Sequence, residues 1–415
     1  MESHLNRSLT RRRLFTDLPL PPSMSTTPYA LDLPSSPPRR FIADLIPTIL
    51  ESHDHWWPRD YLRLSLVSLE WVGPVRRRLY ACPSVRSLEA CYRLARSLRE
   101  NPALCTLVRG LDLRPVHEQR TWPVCEKEMA SLRYLLSLDG IKQLTLGGEL
   151  AVQAGRFLHS LGHPETITEL HIEGNLSDEN HCSRLASLEW DEVIAFKFPN
   201  LRKLRLSNME LDVIPPSIPY ELGITELILE NVDIVSGYLH HMLHQSWRFL
   251  DHLSVTTVAA EFDPHMYLML RCCAPTLQTL TYQTWPDLLA ENTIFSHGPE
   301  SYPSLRRLYF VGVAVDYETL SLIGERCQSL EELSVQGRII RVTPDEWTTF
   351  IRSSAPCSLR RLSAPGATWR PPFEAWSHES GMALRKVCAE RSVELTYPLV
   401  PRVRGLGLVP SALLD

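Results

Sequence analysis

By type and spacing, the side chains best suited to chemistry are the histidines of "HHMLH" at 240–244. His240 and His244 stand four apart, one helical turn, a spacing with which two imidazoles can hold a metal. A metallohydrolase of that pattern places Glu after the first histidine to activate water. Here His241 occupies that place and no third ligand accompanies the pair, so partly exposed helix histidines are the better reading. Cys272 and Cys273 are adjacent, which does not suit an ordinary chelate, and they read as a buried pair ahead of the apolar stretch at 277. The chain contains no GxxxxGK[ST], GxGxxG or GxSxG stretch, and so no phosphate cradle or nucleophile elbow. "VRRRLY" at 75–80 is basic, but Glu70 and Glu89 lie near it in sequence, and it reads as a solvated helix face. These residues assemble no nucleophile–base pair, metal set or cofactor cradle, so the expectation is a protein that binds rather than catalyses.

The bulk chemistry agrees. Of 415 residues, 44% are apolar and 22% charged, and the formal net charge is −5, which gives no electrostatic argument for nucleic acid or anionic membrane. No apolar run reaches the ~18 residues that span a bilayer. The first residues lack the apolar core of a secretory signal. Arg11–Arg13 would suit a mitochondrial presequence, but Glu2 and Asp17 count against one. Ten cysteines without a CxxC pair read as reduced thiols of the cytoplasm or nucleus.

The elements that must position any binding residues announce themselves by repetition. "VRGLDL" (108–113), "IKQLTL" (141–146), "ITELHI" (167–172), "LRKLRL" (201–206) and "ITELIL" (224–229) share one template. "LDHLSV" (250–255), "LQTLTY" (277–282), "LRRLYF" (305–310), "LEELSV" (330–335) and "LRRLSA" (359–364) continue it, and "VELTY" (393–397) is a candidate eleventh copy. From Leu144 to Leu362 the middle leucines stand 23 to 34 residues apart, mostly within the ~20–29 residue period of leucine-rich repeats. The last two apolar positions of each copy are two apart and point to one side of a strand. Such strands are too short to stand alone and stack in parallel, with helices or irregular turns returning along the outside. The stretches 173–200 and 282–304 are the least regular and read as insertions.

The fold class expected is therefore α/β: a short N-terminal helical module, then a curved repeat solenoid with a parallel inner sheet. Residues 1–39, rich in Pro, Ser and Arg, read as a disordered tail. The helical module covers 40–81, and a connecting helix with its cap covers 82–106, ending at Asn101-Pro102. The solenoid spans 107–398, and 399–415 form a C-terminal tail. Within the module, Pro47 sits inside "RFIADLIPTILES" and is tolerated near a helix start or at a kink, which places the start of that helix late.

"YLRLSLVSLEW" (61–71) is apolar in too many directions for one amphipathic helix. At 100° per residue, Leu62, Leu66 and Leu69 fall on one side and Leu64, Val67 and Trp71 nearly opposite. One stripe would close against the chain and the other against a partner. "DYLRLSLVSLEW" (60–71) resembles the second half of an F-box, matching at Leu62, Ser65, Leu66, Val67, Ser68 and Trp71, and "DLIPTIL" resembles its first helix. The chain departs from the family in its Ile42-Ala43 start, in Pro47 and in the long "HDHWWPR" connection. With the repeats, the whole resembles fungal leucine-rich-repeat F-box proteins. The resemblance implies a substrate receptor docking on the Skp-type adaptor of a cullin–RING ubiquitin ligase through Ile49, Leu62, Leu64, Leu66, Val67 and Trp71. The alternative is a leucine-rich scaffold whose N-terminal helices only cap the solenoid.

Residues flanking the leucines face the concavity. Glu169, His171 and Glu173, then Lys203 and Arg205, then Glu226 and Glu230 form rows able to pair across neighbouring strands, and a self-satisfied ladder is the favoured reading there. Farther on, His252, Thr279, Arg307, Tyr309, Glu332 and Arg361 have fewer internal partners. Tyr and Arg are enriched at binding hot spots, so a protein substrate is placed on this half.

Overall fold

The computed structural model describes residues 40–52, 56–115, 126–174, 186–218, 222–243, 246–258, 263–284, 295, 298–337, 341–365, 367–368 and 374–397. The stretches 1–39 and 399–415 expected as tails, and most of the 282–304 insertion, lie outside the described residues. The chain divides into two compact units, 1–56 and 57–415.

In the first unit, helix α1 spans Arg40–Glu51 and runs through Pro47. The late start expected from Pro47 is thus corrected, since the helix begins seven residues before it. A proline inside a helix removes one backbone bond and crowds one carbonyl, and here the helix continues past it. Ser52 N–H donates to Thr48 O at 2.9 Å, closing the last turn. Ile46 and Leu50, four apart, are buried, while Leu45 and Ile49 are exposed.

In the second unit the two-faced segment is not one helix. α2 spans Pro58–Ser65 and α3 spans Leu69–Ala81. Pro58 takes the first helical position, where its missing N–H costs nothing, and the Asp60 carboxylate accepts from Trp57 N–H at 3.1 Å. At the far end, Leu66 and Val67 N–H donate to Arg63 and Leu64 O at 3.0 Å in tight turns. Ser68 then adopts an extended conformation ahead of α3. The opposed stripes assume one continuous helical phase, which the turn at 66–68 breaks. Tyr61 and Val75 are buried, and the Arg78 guanidinium donates to the Tyr61 hydroxyl at 3.4 Å. Next, α4 spans Leu88–Glu100, capped by Ser87 Oγ, which accepts from Ala90 N–H at 3.2 Å. It ends where Asn101-Pro102 was expected to stop it.

The strands are β1 (Ser84–Val85), β2 (Gly110–Leu113), β3 (Gln143–Gly147), β4 (Glu169–Glu173), β5 (Ala186–Trp190), β6 (Lys203–Val213), β7 (Glu226–Ser236), β8 (His252–Thr257), β9 (Thr279–Thr284), β10 (Arg307–Val311), β11 (Glu332–Gln336), β12 (Arg361–Ser363), β13 (Ala367–Thr368), β14 (Glu374–Ala375) and β15 (Glu394–Thr396). Thirteen of them form one sheet, in the order β1-β2-β3-β4-β6-β7-β8-β9-β10-β11-β12-β15, with β5 beside β6. Every pairing in it is parallel. All eleven copies of the template, the one at 393–397 included, contribute a strand. The second unit is thus α/β, with helices joined to a large parallel sheet, an arrangement compatible with a curved repeat fold.

Register is the organising feature. Leu111, Leu144, Leu170, Leu204, Leu227, Leu253, Leu280, Leu308, Leu333, Leu362 and Leu395 are successive cross-strand partners. A second row runs two residues on, from Leu113 through Leu146, Ile172, Leu206, Leu229, Val255, Tyr282 and Phe310 to Val335. The leading apolar residues, from Val108 to Leu359, are buried beside them. In five of the repeats a Ser or Thr just before the leading residue makes a further bond between repeats. Thr166 Oγ1 donates to Ile141 O at 2.7 Å, Thr276 to Leu250 O at 2.9 Å, Ser304 to Pro275 O at 2.6 Å, Ser329 to Pro303 O at 2.6 Å and Ser358 to Gln328 O at 2.9 Å.

The irregular stretch at 173–200 is more ordered than expected. It supplies β5 and a helix at Glu192–Lys197 capped by the Asp191 carboxylate, which accepts from Ile194 N–H at 2.8 Å. β6 lengthens to pair with β5, and β7 lengthens on the other side of β6. Asn208 and Asn231, at φ 54° and 51°, take the left-handed conformation that asparagine tolerates. They switch the buried side from Leu204 and Leu206 to Met209, Leu211 and Val213. Asn231 Nδ2 donates to Asn208 Oδ1 at 3.0 Å across the bend.

Because Leu308 is fully buried between Leu280 and Leu333, Leu308→Ala should cost about 3 kcal/mol. Leu308→Asp, which buries a charge there, should abolish the cooperative transition. Chemical denaturation followed by circular dichroism reads both, and a cooperative transition in Leu308→Asp would contradict the register.

Candidate functional site

Opposite the buried leucines, the same register aligns the polar side chains. One row runs Gln143, Glu169, Lys203, Glu226, His252, Thr279, Arg307, Glu332, Arg361 and Glu394. Five of the six residues expected to bind substrate fall in it. The sixth, Tyr309, stands in the next row between Thr281 and Ser334.

The first half is a paired ladder. Lys203 Nζ lies 3.1 Å from Glu226 and Arg205 2.8 Å from Glu230. Arg114 bridges Asp112, at 2.7 Å, and Glu173, and Gln143 donates to Glu169 at 2.9 Å. The hydrogen bond to Glu226 raises the Lys203 pKa. His171 lies half-buried in this network. Burial, then Arg205, hold its pKa below the ordinary value of 6.5.

The second half corrects part of the expectation. Glu332 is not short of partners: Arg361 approaches it at 3.4 Å, and the Tyr309 hydroxyl donates to it. Burial, then that carboxylate, raise the Tyr309 phenol. Arg361 also reaches Glu394 at 3.8 Å. Thr279 is only 5% exposed, the shortest side chain in its row between His252 and Arg307, and offers a partner almost nothing to touch. Arg307 remains exposed, with no ion pair among the described residues. Burial lowers the pKa of half-buried His252, helped by Arg307 and Lys203 and opposed by Glu226 and Asp251. This face thus presents a cation at Arg307, a phenol at Tyr309 and, at neutral pH, a neutral imidazole at His252.

A second candidate surface lies at the junction of α2 and α3. Leu62, Leu66, Val67 and Leu69 are 58%, 85%, 67% and 92% exposed. Leu64 and Trp71 are half-buried. The stripe Leu62, Leu66 and Leu69 is therefore the open one, and Val67, of the opposite stripe, is exposed as well. Ile49 is exposed on the first unit. Leu69, which the F-box pattern did not single out, is the most exposed of the four.

The other chemical candidates resolve into packing. The His240 and His241 ring centroids are 4.2 Å apart, with Tyr238 packed against both. Among the described residues no group of three potential ligands is placed to hold a metal ion, and His244 lies outside them. Of the expected buried pair only Cys273 is buried, its pKa raised to about 12 by desolvation, while Cys272 is half-buried. No helix among the described residues is long and apolar enough to cross a membrane. The chain matches no protein-family model and no curated protein sequence.

The two imidazoles fix a pH dependence. Their lowered pKa values mean that the folded chain takes up these protons less readily than the unfolded chain. The stability they contribute is complete above 6.5 and declines as pH falls below it. The melting temperature should drop between about pH 7 and pH 5.5, and the joint change His171→Gln with His252→Gln should lessen that drop, with His240 and His265, also lowered by burial, supplying the remainder. A melting temperature that rises on acidification would contradict the assignment.

Proposed function

We propose that the chain is a leucine-rich-repeat solenoid acting as the substrate-recognition subunit of a Skp–cullin–F-box ubiquitin ligase. In this reading α1 to α3 are the F-box and dock on the adaptor. The sheet face carrying His252, Arg307, Tyr309, Glu332 and Arg361 holds the protein to be ubiquitinated. The chain supplies no reacting group and works by raising the effective concentration of a substrate lysine near a conjugating enzyme.

One observation carries this reading. Leu62, Leu66, Val67 and Leu69 are four exposed aliphatic side chains within eight residues, at the segment whose sequence resembles the F-box. Apolar patches of this kind mark interaction surfaces. The capping alternative has less to rest on. Strand β1 pairs with β2 at the start of the sheet, and α4 packs on the helix at Glu126–Leu136. Residues 84–100 thus cover the start of the sheet, the far end of α3 joins it through Arg109 N–H, which donates to Ala81 O at 2.8 Å, and the side chains of the α2–α3 junction stay exposed.

One pull-down series from a cytosolic extract tests both surfaces, with a purified Skp-type adaptor as the direct probe. Leu66→Asp with Val67→Asp should abolish adaptor binding, improve solubility and leave the melting temperature within about 1 °C, as surface changes do. Arg307→Glu with Tyr309→Ala should leave adaptor binding intact and remove substrate capture. Val75→Asp, at a buried position, should unfold the helical pair. An unaltered chain that fails to bind the adaptor, or a Leu66/Val67 variant that still binds it, would overturn the proposal.

A further inference from the structure

The sheet offers an internal comparison of how charges are placed. Along the main rows, cross-strand neighbours are complementary: Lys203 opposes Glu226, and Arg361 stands between Glu332 and Glu394. The extension formed by β5 and the second halves of β6 and β7 reverses this rule. Glu189 directly opposes Asp212, and Glu210 directly opposes Asp233. Like charges placed directly opposite destabilise a sheet. None of these four carboxylates forms an ion pair among the described residues, and Asp212 accepts only the Ser236 hydroxyl. The opposite side of the extension is sound core, with Leu188, Trp190, Met209, Leu211 and Val213 all buried. The local rule is broken on one face only, which is where a fold holding one rule everywhere else places its functional exceptions.

Beside that face lies an open edge. β8 pairs with β7 from Glu226 to Glu230, so among the described residues Val232–Ser236 has a strand neighbour on the β6 side alone. Val235, on the same side as Asp233, is 62% exposed. A free strand edge is a template for an added strand.

We propose that this edge and its acidic face bind an extended segment of a partner protein with Lys or Arg at alternate positions and apolar residues between. Side chains of an added strand alternate between the two faces. One set would lie beside Asp233 on β7, with Glu210 and Asp212 one strand farther in, and the other against the half-buried Ile234 side. The basic set relieves the Glu210–Asp233 pair, the one of the two like-charge pairs that includes the edge strand. The surface shares no residue with the α2–α3 junction or the His252–Arg361 row, so it stands or falls separately from the ligase reading.

The test uses the full-length chain and a fluorescent (Lys-Val)4 octapeptide, with (Glu-Val)4 as control, read by anisotropy at low ionic strength. The lysine peptide should bind, the glutamate peptide should not, and salt should weaken the complex. Glu210→Gln with Asp233→Asn should melt higher than the unaltered chain and bind the peptide at least about tenfold more weakly. Val235→Lys, at an exposed position, provides a second variant and should bind as weakly. Three results would overturn the proposal. The first is failure of the unaltered chain to bind, with self-association of the neutralised variant, which would make the carboxylates edge protection only. The second is unchanged affinity in both variants. The third is equal displacement by spermine and by unlabelled peptide, which would reduce the face to a counter-ion sink.

Discussion

Cross-strand register of the leucines is the constraint on which everything else in the second unit depends. Side chains alternate along a strand, so a slip of one residue between neighbours would exchange the buried row for the polar one. Along the leucine row from Leu111 to Leu395 no pairing slips; the register shift between β6 and β7 falls beyond that row, at Leu211/Asp212, and leaves Val235 as the extra residue. The uneven spacing of the repeats is absorbed outside the strands. The longest interval, between Leu170 and Leu204, holds β5 and its short helix, and it adds to the sheet at the far end of β6 without disturbing the ladder.

The polar chemistry follows from that constraint. A register that stacks leucine on leucine also fixes which charge faces which, without regard to whether the pair is favourable. Where the pairs are opposite, as at Lys203–Glu226 and Arg205–Glu230, the face is self-contained, each exposed pair contributing roughly 0–1 kcal/mol. Where a cation forms no ion pair among the described residues, as at Arg307, or carboxylates meet each other, as at Glu210 and Asp233, the face carries charge without a close counter-charge. The exposed leucines of the α2–α3 junction are the apolar counterpart of that imbalance.

Much of this was legible in the sequence because the template repeats both its internal register and its spacing, and chance apolar runs do neither. The solvent-facing row was readable by the same token, since residues flanking the anchor leucines must share a face. What escaped depends on tertiary context. The break at Leu66–Ser68 carries no Gly or Pro, and the helical wheel runs through it as though the phase were continuous. Ser68 ahead of "LEW" was the available signal, a residue type that favours a helix start. β5 hid in a polar stretch because its partner is the lengthened tail of β6, which no local pattern announces. Pro47 misled in the other direction: its lost bond is a local cost, whereas the helix is kept by its whole length. The Ser and Thr hydroxyls at 166, 276, 304, 329 and 358 sit at one fixed place in the template and could have been read, but hydrogen bonds to the preceding repeat leave no apolar trace.

The central claim is that one continuous ladder holds the sheet together. Residue-resolved amide hydrogen exchange tests it most directly. Strand amides at Leu204, Leu227, Leu253, Leu280 and Leu308 should be the slowest in the chain and should share one exchange free energy, because they open only together. Exchange at any of these as fast as in the connecting turns would show a gap in the ladder and contradict the account.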